Sequence, residues 1–224
     1  MASSGFPESS VLWPGCILGS IVHAVMMTRY PDLANEQSWD GANYCIQDSM
    51  GSRGTISFSG ADFVGVLFDK ESARNPLRSD RDYDVNRFLK GIPPHLERLA
   101  HDEALQYVLD NYRGKVIPII TAAFWSEGTR MAAAEPWNEV FVNGARLLKL
   151  QLIDTRVALE QWRTDYEMSA SQTQLVRALF ERKIALPNAT VEMSDTERET
   201  LLRAAQSPEG KKETLASLAE IGIY

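Results

Sequence analysis

The sequence predicts an α+β fold, a small antiparallel β-meander near the N-terminus packed on a mainly helical C-terminal part. Three observations carry that expectation. Three short runs between Ala42 and Phe68 are rich in β-branched and aromatic residues and are separated by turn residues. From Pro93 onward apolar residues recur at steps of three and four. Between these regions, residues 69–90 form a mixed-charge stretch with few apolar positions. A chain of 224 residues reads as a single domain with a sheet-bearing part, 1–90, and a helical part, 91–224.

The first apolar run, Val11–Met27, is interrupted only by Pro14, Gly15, Gly19, Ser20 and His23. Nothing before it is Lys or Arg, and its 17 residues sit at the short limit for a membrane span. A buried helix starting near Pro14 is expected instead, with no membrane partner. The polar residues of Thr28–Ser38 then lead to the sheet.

In the run Ala42–Gln47, Tyr44 and Ile46 share one face, and Asn43, Cys45 and Gln47 the other. In Gly54–Ser59, Ile56 and Phe58 oppose Thr55, Ser57 and Ser59, so these strands predict one wet face. Phe63–Phe68 is apolar on both faces apart from Gly65, which predicts a central strand with a neighbour packed against its backbone.

Beyond the charged stretch, Leu96, Leu99, Leu105, Val108, Leu109 and Tyr112 predict a helix over Pro94–Tyr112, ended by Gly114. Val116–Trp125 is apolar but carries Pro118 and two alanines, and is read as a helix opening at Pro118. Trp137, Phe141, Gly144, Leu148, Leu152, Thr155, Leu159, Trp162 and Tyr166 make a stripe that one helix would extend to about 45 Å. Residues 139–153 also fit a hairpin turning at Asn143-Gly144; the helix is preferred. Further helices are expected over Ser171–Ile184, after Ser194-Asp-Thr-Glu, and near Glu213–Ile221.

Composition excludes more than it identifies. A net charge of −7 argues against a nucleic-acid surface and leaves room for a basic protein partner. Two cysteines without metal spacing fit a reducing cytoplasm, though a Cys16–Cys45 bridge is open. Cys16 is flanked by Ile17, Leu18 and Ile21 and reads as a small core residue. There is no Gly-x-Ser-x-Gly elbow and no phosphate-binding glycine loop, so neither serine hydrolysis nor a nucleotide cofactor is indicated. Asp80-Arg-Asp82-Tyr-Asp84 imitates the start of a calcium loop. Val85 then occupies the place of the required glycine and Gly91 that of the bidentate glutamate, so no metal site is expected. Trp125, Trp137 and Trp162 read as core anchors.

What remains is the loop Asp48-Ser-Met-Gly-Ser-Arg53 between two strands. Loops on a rigid sheet are where contact residues concentrate. Asp48, Met50 and Arg53, with Asn43 and Tyr44 on the preceding strand, form the expected binding set, and no catalytic set is assigned. The expected function is a non-catalytic protein-binding module, such as an acidic inhibitor or immunity-type protein that covers a basic toxin or enzyme. The alternative is a hydrolase or transferase using Cys45 with His95 or His101 and a carboxylate such as Asp48.

Overall fold

A computed structural model describes residues 5–78 and 82–224 of the chain. It is 48% helical and 19% strand, an α+β protein with its antiparallel sheet in the N-terminal half and several helices in the C-terminal part. In chain order the helices are α1 (Leu12–Met27), α2 (Pro94–Asp102), α3 (Trp137–Val142), α4 (Thr155–Asp165), α5 (Ala170–Ala185), α6 (Asp195–Leu202) and α7 (Pro208–Glu220). The strands are β1 (Gln37–Asp40), β2 (Asn43–Gln47), β3 (Arg53–Ser59), β4 (Asp62–Phe68), β5 (Leu109–Tyr112), β6 (Lys115–Pro118), β7 (Ala122–Glu127) and β8 (Arg130–Ala132).

These elements sort into two compact units, each built from two stretches of chain. One takes residues up to Ser9 and Asp40–Lys149; the other takes Ser10–Trp39 and Leu150–Tyr224. The charged stretch at 69–90 therefore lies inside the first unit and divides nothing.

In the sheet unit β2, β3, β4, β7 and β8 follow one another, antiparallel at every step. The expected meander is present, and β4 is central, paired with β3 on one side and β7 on the other. Gly65 lies opposite Ile56 and Phe124. A Cβ there would stand 2.6 Å from the Phe124 ring and 2.8 Å from Ile56 Cδ1, so the glycine is what lets those side chains close over the strand.

Two helical expectations fail in this unit. Residues 116–125 are not a helix, because Lys115–Pro118 pairs with Leu109–Tyr112 in a separate hairpin and Ala122–Glu127 joins the main sheet. Ala122 has a packing role instead of a helical one: a Cβ on Gly144 would meet the Cβ atoms of Leu67 and Ala122 at 2.8 and 3.1 Å, so small residues let that backbone lie on the sheet. The helix expected over Pro94–Tyr112 stops at Asp102, and its last apolar residues belong to a 3₁₀ turn, Ala104–Tyr107, and to β5.

The long stripe from Trp137 to Tyr166 is neither one helix nor a hairpin. It breaks into α3, a 3₁₀ turn at Ala145–Leu148, and α4, whose start is set by Asp154 accepting from the Arg156 and Val157 amides. Its two halves serve different cores. Trp137 packs with Phe6, Phe124 and Phe141 in the sheet unit, while Trp162, 4% exposed, lies in the helical unit's core.

The helical unit is organised around α1, which packs against α4, α5, α7 and a 3₁₀ segment, Pro31–Glu36. As its uniform apolarity predicts, α1 is buried on every side, with Leu12, Cys16, Ile21, Val22 and Met27 at zero exposure. Each such aliphatic side chain contributes roughly 1.5–3 kcal/mol by leaving water. Gly15 sits where a Cβ would overlap the Gln151 backbone carbonyl. Capping boxes open α5, from Ser169 and Gln172, and α6, from Ser194 and Glu197, the second as its sequence predicts.

Candidate functional site

The loop between β2 and β3 closes on itself. Asp48 Oδ1 accepts from the amides of Met50 (3.0 Å) and Ser52 (2.8 Å). The Asp48 amide donates to the Ser52 carbonyl and the Gly51 amide to the Asp48 carbonyl. Gly51 takes φ +96°, the left-handed conformation this tight turn needs. With its polar groups satisfied internally, the loop holds Met50 out to solvent at 61% exposure.

Beside the loop is a cleft of about 410 Å³, lined by Asp48, Ser52, Asp69, Gly144, Arg146, Leu147 and Lys149. Its floor is the Asp69 side chain, 8% exposed, which accepts from the Glu71 amide through Oδ1 and from Arg146 through Oδ2 at 3.3 Å. Arg146 stands at the mouth with 64% of its side chain in solvent. The Asp69 amide donates to Thr121 Oγ1, and that hydroxyl donates to the Asn143 carbonyl, so the floor is tied to the end of α3. A larger groove of about 640 Å³ in the helical unit runs between α4 and α5. It is lined by exposed groups of both signs, and Arg163 there is already turned to Glu160.

The five expected binding residues do not form one surface. Asp48 shapes the loop and borders the cleft, and Met50 is its exposed tip. Arg53 pairs with Asp110 at 2.8 Å, with its guanidinium 4.7 Å from the centre of the Phe68 ring. Tyr44 has no exposed surface and belongs to the core. Asn43 is 6% exposed and lies in a chain of hydrogen bonds: the Ser57 hydroxyl donates to its Oδ1, and its Nδ2 donates to Glu103 (2.9 Å) and to the Tyr107 hydroxyl (3.2 Å). Tyr107 in turn donates to Asp40 at 2.7 Å. That bond, followed by burial, pushes the Tyr107 hydroxyl up to about 12. The face expected to be wet is covered at its centre, with Thr55 and Ser57 at 1% and 0% exposure, and open at its ends, where Gln47 and Ser59 are exposed.

Asp69, Arg146 and Lys149 went unread in the sequence because they meet Asp48 only through the fold. Asp69 had one local sign, a carboxylate directly after the apolar strand Phe63–Phe68.

The groups of the cysteine alternative are placed as follows. Cys45 is half-buried, 3.7 Å from the Thr55 hydroxyl. His95 is held at Asp62, 3.5 Å away. Asp62 pairs with Ser59, four residues along β3 from the partner of Cys45, which puts His95 about 13 Å down the sheet. His101 lies exposed at the C-terminal end of α2. Asp48 spends one carboxylate oxygen on its own loop. Cys16, fully buried on α1, has its thiol pushed up by desolvation, and the two cysteines are not bridged to each other. Asp80 and Arg81 of the calcium-like stretch lie outside the described residues, and Asp84 caps the 3₁₀ turn Val85–Leu89. Among the described residues no three His, Cys, Asp or Glu side chains cluster as a metal site.

No protein-family model, curated protein or solved structure matches the chain.

Proposed function

We propose that the protein is a non-catalytic protein-binding module, an acidic intracellular inhibitor or immunity-type protein, whose contact region is the loop Asp48–Arg53 and the cleft beside it. The observation that carries this reading is Met50, an apolar side chain held 61% exposed by a loop whose hydrogen bonds are already made. A pre-organised loop loses little conformational entropy when a partner covers it, and methionine adapts its shape to varied surfaces. The net charge of −7 favours a partner that brings positive charge. Opposite charge speeds such an encounter and makes its rate fall with salt.

The test captures partners from lysate of the source organism on the tagged chain and on its Met50→Asp variant, side by side. One basic protein retained stoichiometrically by the first and reduced at least about tenfold on the second is the expected result; a lost anchor contact of about 1.4 kcal/mol has that effect. Its association rate falls as ionic strength rises. Identical retention on the two baits, or a rate indifferent to salt, counts against the reading.

A further inference from the structure

Six of the chain's seven methionines lie among the described residues, and the fold treats one of them differently from the other five. Met26, Met27, Met131, Met168 and Met193 are each 8% exposed or less, and Met27, Met168 and Met193 belong to the core of the helical unit. Met50 stands 61% exposed at the tip of its loop. Oxidation of a thioether follows solvent access to its sulfur, so exposure separates Met50 from the buried five. Of the two thiols that could compete for an oxidant, Cys16 is fully buried and Cys45 is half-buried.

The loop is also built to outlast the change. None of its hydrogen bonds uses the Met50 side chain: Asp48 Oδ1 accepts from the Met50 and Ser52 amides, and the Asp48 carbonyl accepts from the Gly51 amide. An oxygen added to the sulfur therefore breaks no bond of the turn. It finds no donor among these three amides either, because they are already spent inward, and it is left to water. A partner covering the tip would then have to strip water from a strong acceptor, where before it covered an apolar group.

We propose that Met50 is a reversible oxidation site that switches the contact region off: peroxide converts its thioether to the sulfoxide ahead of the other five methionines, the loop keeps its shape, and the partner is released. The release rests on the binding reading above; the modification site does not. In the forward step the sulfur gives up two electrons and bonds to one peroxide oxygen as the O–O bond breaks, and the second oxygen leaves as water. In the return step a reductase dithiol supplies two electrons and two protons, the sulfoxide oxygen leaves as water, and the dithiol closes to a disulfide. The sulfoxide forms as two epimers, each with its own reductase, so full return takes both enzymes.

The test treats the purified full chain with hydrogen peroxide and follows each methionine by peptide mass. Met50 is expected to gain one oxygen at least about tenfold faster than the other five, with hydrogen-exchange protection of β2 and β3 unchanged. Oxidation of Met131 or Met193 at the same rate as Met50, or loss of protection in those strands, overturns the site. Three baits are then compared for capture from lysate of the source organism: untreated, oxidised, and oxidised then returned by both reductases with dithiothreitol. Retention of the basic partner is expected to fall at least about tenfold on oxidation and to recover with the enzymes. Dithiothreitol alone reverses thiol oxidation at Cys45 but leaves a sulfoxide in place, so recovery without the enzymes overturns the switch, as does retention that oxidation leaves unchanged. An untreated bait that retains nothing overturns the binding reading and the release with it, while the peptide masses still decide the site.

Discussion

Asn43 and His23 are both buried polar side chains, and the two units treat them in opposite ways. In the sheet unit every polar atom of Asn43 is used, and the hydrogen bonds lead outward through Tyr107 and Glu103 to carboxylates in contact with water. In the helical unit His23 ends in apolar packing with both nitrogens unused. The difference teaches that a buried polar group stabilises a fold only when its bonds can be followed to an acceptor that solvent or charge sustains. Without that route its desolvation is left uncompensated.

Breaking the satisfied side should have the largest effect. Asn43→Leu strands the Ser57 hydroxyl at zero exposure and removes the bonds to Glu103 and Tyr107, at an expected loss of about 3 kcal/mol. Hydrogen exchange by peptide checks it, with protection falling in β2–β4 and holding in α5. Trimming the same chain at its outer end costs less. Tyr107→Phe deletes only the hydroxyl between Asn43 and Asp40, for a loss of about 1 kcal/mol by urea unfolding. The smallest change sharpens the contrast: at pH 7.5 His23→Leu should cost less than about 1 kcal/mol or raise stability, because an apolar group of similar size replaces an unpartnered one. A loss at neutral pH as large as that of Asn43→Leu would show that the ring has a partner after all.

The sequence revealed the strands of the meander well, because their side chains alternate or are uniformly apolar and their turns carry Gly or Asp. The central place of β4 and the close contact at Gly65 were legible for the same reason. The second half of the sheet was not. Ala122 and Ala123 look helical by propensity, yet they are strand residues: Ala122 lies under the backbone of Gly144 and Ala123 packs into the cluster of Val64, Val66 and Leu105, and tertiary packing overrides propensity. The stripe from Trp137 to Tyr166 misled because three-to-four spacing continues across two helices that bury their faces in different units. Asp154, the cap that separates them, was the overlooked sign. At the candidate site, Asp48 and Met50 could be found from the loop alone. Asp69, Arg146 and Lys149 could not, since no local pattern ties residues so far apart.

The interleaving of the two units also sets an order on the ribosome. The greater part of the sheet unit is one continuous stretch, Asp40–Lys149, and can close once that stretch has emerged. α1 leaves the exit tunnel before it, apolar on every side, but the first helix that covers it begins only at Thr155. At about 5–20 residues per second, α1 has only the short segment Pro31–Glu36 to cover it for on the order of ten seconds. During that interval the most apolar segment of the chain is a client for whatever cellular factor shields nascent hydrophobic helices, and slowing synthesis between α1 and α4 should lower the yield of soluble protein.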